Sequence, residues 1–252
     1  MTTILAIANQ KGGVGKTTTA INLGAALGAL ERKVLLVDCD PQGNATRGLG
    51  ATADPPNLYH ALTAGVPAAE AVRASGFPNL DLLPADRDLV GVEVEFVGLD
   101  GWQRRLAEVI AGIAARYDTV LLDCPPSLGH MTVSALAAAH GVLVPLQCEY
   151  FALEGVSELI ETVGRVRSAL NPGLRIAGVV LTMYDDRTNL SRDVAEEIRR
   201  HFTDKVFSSV VPRNVRLAEA PSHGMPIFQY DIRCRGAEAY LAVAREFLRR
   251  AA

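Results

Sequence analysis

The 252-residue chain contains little of several residue types, and each shortage argues against a class of protein. Its four cysteines include no pair at C-x-x-C spacing, which argues against a zinc site or a redox dithiol. No apolar run approaches the roughly 18 residues that a membrane-spanning helix requires. The first residues lack a cationic segment and pass directly into a short apolar strand, so we expect no signal peptide. Together these shortages favour a reduced, cytoplasmic protein.

Net charge is also small, at -3, so no global basic field indicates a nucleic-acid partner. The charge is uneven, however, because the residues from Tyr184 onward carry 12 basic and 10 acidic side chains. A polyanion-binding face is therefore expected in the C-terminal third. Aromatic residues make up only 6% of the chain and are not interleaved with the basic ones, which argues against a platform that stacks single-stranded bases.

Hydrophobic residues make up 49% of the chain, enough for a sizeable core. Short apolar runs alternate with helix-period segments, which is the pattern of an α/β protein with a mostly parallel twisted sheet and helices on both faces. The predicted strands are Ile4–Ala8, Lys33–Val37, Leu80–Leu83, Thr119–Leu122, Val142–Pro145, Ile176–Thr182 and Val206–Val211. The predicted helices are Thr17–Leu30, Trp102–Arg116, Met131–Ala139, Leu153–Leu170, Leu190–Phe202 and Ala237–Arg250. No repeat or linker divides the chain, so we expect residues 1–252 to form a single domain.

A glycine-rich loop joins the first predicted strand to the first predicted helix, which is the setting that a phosphate cradle requires. Its sequence is Lys11-Gly12-Gly13-Val14-Gly15-Lys16-Thr17-Thr18. Glycines let backbone N–H groups turn toward phosphate oxygens, and the helix N-terminus adds partial positive charge. We expect Lys16 to contact the β- and γ-phosphates and the Thr17 hydroxyl to bind Mg²⁺. The dinucleotide-binding alternative fails, because Thr18 stands where its third glycine belongs.

The loop departs from the standard phosphate-loop pattern at its start. Gln10 stands where that pattern has a glycine, and Lys11 adds a second lysine. A lysine at this position cannot easily curl back onto the phosphates that its own loop wraps, but it could reach the nucleotide of a neighbouring subunit. The alternative for Lys11 is a solvated loop charge without such a role.

Four segments together resemble the deviant Walker A ATPases of the ParA/Soj/MinD superfamily, and the last of them is similar to its ParA/Soj branch. They are the loop 11–18 and the segments 34–44, 120–127 and 212–222. The resemblance extends over nearly the whole chain. It implies a P-loop NTPase that binds ATP and Mg²⁺, hydrolyses ATP slowly and forms a homodimer in the ATP state.

The resemblance also implies roles for single residues. Asp40 stands where the family places the carboxylate that orients the attacking water, and Asp123 stands at the Walker B position. With Lys11 and Lys16, Asp40 forms the predicted catalytic set. The predicted metal ligands are Thr17, Asp40 and Asp123. Pro212, Arg213 and Asn214 are expected to border the adenine. The alternative for each aspartate is a structural turn residue.

The partitioning branch of the family binds double-stranded DNA non-specifically, and a ParB/Spo0J-type protein stimulates its hydrolysis. The resemblance therefore implies association with the nucleoid. Arg187 and Arg216 are the first candidates for DNA contacts, because they lie in loops where the sequence matches this branch closely. The alternative is a MinD-like positioning ATPase on a membrane or protein scaffold. We expect no membrane contact, because an apolar helix face such as that of Ala237–Arg250 more often packs on its own domain.

Overall fold

The structure is a computed structural model that describes residues 2–149 and 152–251, with the backbone alone at 153, 154 and 251. These residues form seven strands and twelve α-helices. The strands are β1 (Thr3–Ile7), β2 (Val34–Asp38), β3 (Arg73–Phe77), β4 (Leu80–Leu83), β5 (Thr119–Asp123), β6 (Gly141–Gln147) and β7 (Arg175–Thr182). The helices are α1 (Lys16–Ala29), α2 (Asn44–Gly48), α3 (Leu58–Thr63), α4 (Ala68–Ala71), α5 (Gly91–Glu95), α6 (Arg105–Ala111), α7 (His130–Ala138), α8 (Ala152–Ala169), α9 (Asn189–Phe202), α10 (Val215–Glu219), α11 (Ile227–Tyr230) and α12 (Arg235–Ala251).

The strands form one sheet in the order β3-β4-β2-β5-β1-β6-β7. Neighbouring strands pair in parallel, except for the antiparallel edge pair of β3 and β4. Parallel strands covered on both faces are apolar along their whole length, and β2 and β5 are buried at every residue. The predicted mostly parallel α/β sheet is confirmed.

Helices cover both faces of the sheet, and each face has its own apolar cluster. On one face α1 and α12 pack against each other over side chains such as Leu5 and Leu36. On the other face α6, α7 and α8 cover side chains such as Ala6 and Val120. Within the described residues, no helix is long and apolar enough to cross a membrane.

The parallel register determines which residues meet at the carboxyl edge of the sheet. Asp123 at the end of β5 pairs with Ile7 of β1 on one side and with Asp38 of β2 on the other. The segments that follow these three strands therefore lie side by side at this edge. They contain the glycine-rich loop and the predicted site residue Asp40, and Asp123 itself ends β5 at this edge.

The predicted strand Val206–Val211 is wrong, because isolated bridges at Val206 and at the next residue after the segment, Pro212, replace a continuous ladder. The backbone N–H groups of Ser208 and Ser209 each donate to the carboxylate of Glu246 at 2.9 Å. Glu246 belongs to α12. Because the two N–H groups donate to a helix side chain, they are not available for hydrogen bonds to a neighbouring strand.

The predicted helix Trp102–Arg116 is shorter than expected. The α-helical part is α6, and 3₁₀ turns at Trp102–Arg104 and Ala114–Arg116 flank it. Glycine at position 112 follows α6 directly, where a residue without a side chain weakens the helix. The apolar pattern also does not predict β3, whose residues are all partly or fully exposed at the sheet edge.

Candidate nucleotide-binding site

The predicted phosphate loop joins β1 to α1. Gly13 and Gly15 have φ angles of 75° and 87°, in the left-handed region that favours glycine. Gly15 is also the N-cap of α1, and the space beside Gly12 and Gly13 is open where a Cβ would point. The Thr182 hydroxyl at the end of β7 donates to the Val14 carbonyl at 2.9 Å, which fixes the loop against the sheet. An open, glycine-lined turn at a helix N-terminus fits a phosphate chain.

Lys16 is buried at the start of α1, with 7% of its surface exposed. Its Nζ donates to the Lys11 carbonyl at 3.0 Å, so the ammonium lies across the mouth of the loop. Burial lowers the pKa of Lys16, and the charges of Asp123 and Asp40 act in the opposite direction. A buried ammonium at this place fits contact with the β- and γ-phosphates.

Asp123 has two fully buried carboxylate oxygens, and neither has a hydrogen-bond partner in the described part of the chain. Burial raises the pKa of Asp123, and the neighbouring Asp38 raises it further. The Thr17 hydroxyl and the Lys16 ammonium oppose this rise, although Thr17 lies outside standard hydrogen-bond geometry. Mg²⁺ typically takes one or two carboxylates, directly or through water, together with substrate phosphates. The unpartnered oxygens of Asp123 fit that use.

Asp38 ends β2 and Asp40 lies two residues after it, but the two carboxylates have different partners. Asp40 is 6% exposed, and its Oδ1 accepts a hydrogen bond from the Gln42 N–H at 2.9 Å. Asp38 is fully satisfied: its Oδ1 accepts from the Asp40 N–H at 3.2 Å, and its Oδ2 accepts from the N–H and hydroxyl of Thr46 at 2.8 and 2.7 Å. Asp38 therefore holds the turn that positions Asp40.

Lys11 lies beside the phosphate loop. Its Nζ forms an ion pair with Oε2 of Glu149 at 2.8 Å, and its backbone N–H donates to Oδ1 of Asn9 at 3.0 Å. The Asn9 amide in turn donates to the Pro145 carbonyl at 2.8 Å, which ties the start of the loop to β6. The sequence does not reveal Glu149 as the partner of Lys11, because 138 positions separate the two residues.

A cavity of about 170 Å³ lies beside the loop, and Pro212, Arg213 and Asn214 contribute to its wall. The structure thus brings the predicted adenine segment to the phosphate loop. Oδ1 of Asn214 accepts from the Leu217 N–H at 3.3 Å and caps α10, which leaves the amide NH₂ free to donate to a ligand. Tyr240 of α12 also lines the cavity, a contact that no sequence motif indicates.

Comparison with known proteins identifies the family. A family model described as an AAA domain matches residues 2–176. The chromosome partitioning protein ParA of Caulobacter vibrioides strain NA1000 is 54% identical over 251 residues, which cover 98% of this chain and 94% of that protein. The sporulation initiation inhibitor protein Soj of Bacillus subtilis strain 168 is 51% identical over 245 residues, or 96% and 97% of the two chains. The chain belongs to the ParA/Soj family of partitioning ATPases.

Solved structures agree with a ParA/Soj-type fold. A structure named cobyrinic acid a,c-diamide synthase from Mycobacterium smegmatis, with bound ADP and magnesium, has a TM-score of 0.87 and 39% identity. The match covers 99% of this chain and 95% of that one. The M. smegmatis protein thus carries a nucleotide and Mg²⁺ on the fold that this ParA/Soj-family chain adopts.

Both predicted DNA residues lie near the predicted adenine segment: Arg187 lines a cavity together with Pro212 and Arg213, and Arg216 is in α10, which Asn214 caps. The Arg187 side chain, after β7, is 84% exposed and pairs with Asp185 at 2.7 Å. The Arg216 side chain in α10 is 53% exposed and pairs with Glu219 at 2.9 Å and Asp231 at 3.6 Å. Ion pairs between solvent-exposed side chains contribute little to stability. Both guanidinium groups can therefore exchange a carboxylate for a phosphate at small cost.

Proposed function

We propose that this protein is an ATP-dependent switch that dimerises with ATP and Mg²⁺ and then binds double-stranded DNA non-specifically. Slow hydrolysis, stimulated by a ParB/Spo0J-type partner, returns it to the unbound state. The cycle drives chromosome or plasmid partitioning, and the protein associates with the nucleoid. The observation that carries this proposal is the position of Lys11, beside its own loop and paired with Glu149. The names of the relatives at 51–54% identity support it.

The residues of the site divide the chemistry among them. Lys16 binds the β- and γ-phosphates, the Thr17 hydroxyl holds Mg²⁺, and Asp123 acts on the ion through water. Mg²⁺ neutralises negative charge on the phosphate oxygens when it is bound. Asp40, buried at the same edge, orients the attacking water and helps to hold the metal. Phosphoryl transfer depends mainly on positioning and charge stabilisation, so an ordinary ionised carboxylate is sufficient for this task.

A second copy of the chain completes the site. A Lys11 that leaves Glu149 can extend outward from the carboxyl edge of the sheet, where two subunits related by a two-fold axis would meet. Each Lys11 would then contact the phosphates bound by the other subunit. Dimer formation would depend on ATP, because the phosphates attract the two lysines across the interface.

DNA binding follows from the dimer. Arg187 and Arg216 are exposed cations, and a dimer presents two copies of each. Doubling the phosphate contacts doubles the number of counterions released, so affinity falls more steeply with salt than it does for a monomer. The ATP-bound dimer therefore binds DNA at low salt when the monomer does not.

The membrane-bound alternative requires an apolar helix face that lipid can reach. In α12 the side chains of Tyr240, Val243 and Phe247 are 1%, 0% and 6% exposed. They pack in the cluster shared with α1. This packing favours a DNA partner over a lipid partner, because an apolar face buried in the domain is not available to a bilayer.

Sedimentation with DNA in the presence of ATP or ADP tests the proposal. Protein loaded with ATP and Mg²⁺ should sediment with DNA at low salt, and should be released by ADP or by higher salt. Anionic vesicles serve as the competing target. If ATP-loaded protein bound vesicles and ignored DNA at low salt, the partitioning proposal would be wrong.

A further inference from the structure

A second cleft, of about 330 Å³, lies at the edge of the sheet opposite the nucleotide site. It opens where β1, β6 and β7 begin, between the sheet and the last turns of α12. Neither the nucleotide nor the predicted DNA residues reach this edge. Its lining combines three cationic side chains and one carboxylate with apolar residues; the charged groups are Arg175, Lys205, Arg250 and Asp204.

The basic side chains of the cleft offer hydrogen-bond donors that the protein does not use. Arg175 at the start of β7 is exposed, and its guanidinium has no ion-pair or hydrogen-bond partner among residues 2–149 and 152–251. Nδ1 of His140 accepts the Ile4 N–H at 3.1 Å, so a neutral ring carries its proton on Nε2. Lys205 pairs with Asp204 at 3.0 Å and keeps two further N–H donors.

Arg250 holds one wall of the cleft in place. Its guanidinium donates to the Lys205 carbonyl at 3.3 Å and the Val206 carbonyl at 2.7 Å, and to the Glu246 carboxylate at 2.7 Å. It also lies over the ring of Phe207, 4.3 Å from the centroid. The Arg250 guanidinium is therefore already paired within the protein, and its hydrogen bonds fix the backbone that positions Lys205. Among the cations that line the cleft, Arg175 is the one without a counterion in the described part of the chain.

The apolar part of the lining is formed by Leu5, Ala177 and Phe247. Leu5 is 1% exposed and Phe247 is 6% exposed, so these side chains form a firm surface. A cleft of this volume lies at the lower end of the range for small-molecule sites, which are mostly apolar with a few convergent polar groups. It is too small for a nucleic-acid duplex.

We propose that this cleft binds a small organic anion, a phosphate monoester or a carboxylate with a compact apolar body. The anionic group contacts Arg175, Lys205 and the Nε2–H of His140. The apolar body packs on Leu5, Ala177 and Phe247. The site is independent of the ATP site, because the two lie at opposite edges of the sheet.

Isothermal titration of the full chain, saturated with ADP and Mg²⁺ to fill the phosphate loop, tests the proposal. Phenyl phosphate and benzoate are the probes for the two anion types, and the stronger binder of the two identifies the preferred group. Inorganic phosphate lacks the apolar body and phenol lacks the charge, so each should bind at least about tenfold more weakly than the better probe. No measurable binding of either probe would overturn the proposal, as would equal binding of inorganic phosphate.

Arg175→Gln is the decisive variant, because it removes the unpaired cation from an exposed position. It should weaken binding of the better probe about tenfold or more, since a hydrogen bond to a charged group is lost. Arg32→Gln is the matched control, an exposed arginine at the same edge of the sheet but outside the cleft lining. If Arg32→Gln weakened binding as much as Arg175→Gln, or if Arg175→Gln had no effect, the probe would be bound elsewhere and the assignment would be wrong.

Discussion

Glu149→Gln should strengthen the ATP-dependent dimer, because Glu149 holds Lys11 on its own chain. The pair is 2.8 Å long, with side chains 37% and 45% exposed. Exposed pairs of this kind contribute about 0.2–1 kcal/mol. A dimer must release two of them, so the restraint on dimerisation is about 0.4–2 kcal/mol, and the variant should lower the dimer dissociation constant about 2- to 30-fold. Glutamine keeps the oxygen that accepts from Gln147, so this contact is preserved.

Sedimentation velocity with ATP and Mg²⁺ measures this effect best in an Asp40→Ala background, where the dimer should not dissociate through ATP hydrolysis during the run. Glu161→Gln is the control, because it removes an exposed negative charge from α8 at a residue that is not the ion-pair partner of Lys11. The gain should fade at high salt, which screens an exposed ion pair. An unchanged or weaker dimer for Glu149→Gln would show that the ion pair does not restrain Lys11. An intact dimer for Lys11→Ala would refute the cross-subunit role itself.

Four further substitutions test separate parts of the structure. Lys16→Ala should abolish nucleotide binding in a titration with ATP, and tight binding would remove Lys16 from the cradle. Asp40→Ala should keep ATP binding but trap the dimer, so that unaltered phosphate release would exclude Asp40 from catalysis. Arg216→Ala should weaken DNA binding and flatten its salt dependence without changing ATP affinity, and an unchanged salt slope would contradict a phosphate contact. Glu246→Gln should lower the free energy of unfolding by about 1–3 kcal/mol near neutral pH in urea denaturation. Burial alone would raise the pKa of Glu246, but two backbone N–H groups and an arginine lower it overall. The stabilisation is therefore present above the unfolded pKa and is lost as pH falls through the folded pKa, and a deficit that persisted in acid would contradict this explanation.

The phosphate loop could be predicted from the sequence because its chemistry depends on contiguous residues. Glycines with positive φ, a buried lysine and a hydroxyl at a helix N-terminus are all set within eight positions of the chain. The parallel sheet was equally predictable, since strands buried on both faces are apolar throughout. The carboxyl edge of such a sheet then brings Asp40 and Asp123 to the loop without further information.

Contacts between distant segments could not be predicted in this way. Glu149 meets Lys11 only because β6 lies next to β1 in the sheet, an order that the apolar runs do not specify. The same limit explains the wrong strand at 206–211. That segment is apolar enough for a strand, but Glu246 from α12 takes two of its N–H groups. A carboxylate 38 positions further along the chain therefore decides the local structure.

The two strand-end aspartates show why a motif alone does not assign a metal ligand. Val34–Asp38 and Thr119–Asp123 are similar apolar strands that end in an aspartate, and the register places Asp38 directly beside Asp123. The difference lies in what surrounds each carboxylate. Asp38 accepts one hydrogen bond from the Asp40 N–H and two from Thr46 of α2, so its oxygens are already bonded within the protein. Asp123 is equally buried but unpartnered within the described residues, and a buried carboxylate needs a compensating charge or donor. Bound Mg²⁺ with its water shell would supply that compensation, so Asp123 and not Asp38 stays the predicted metal ligand.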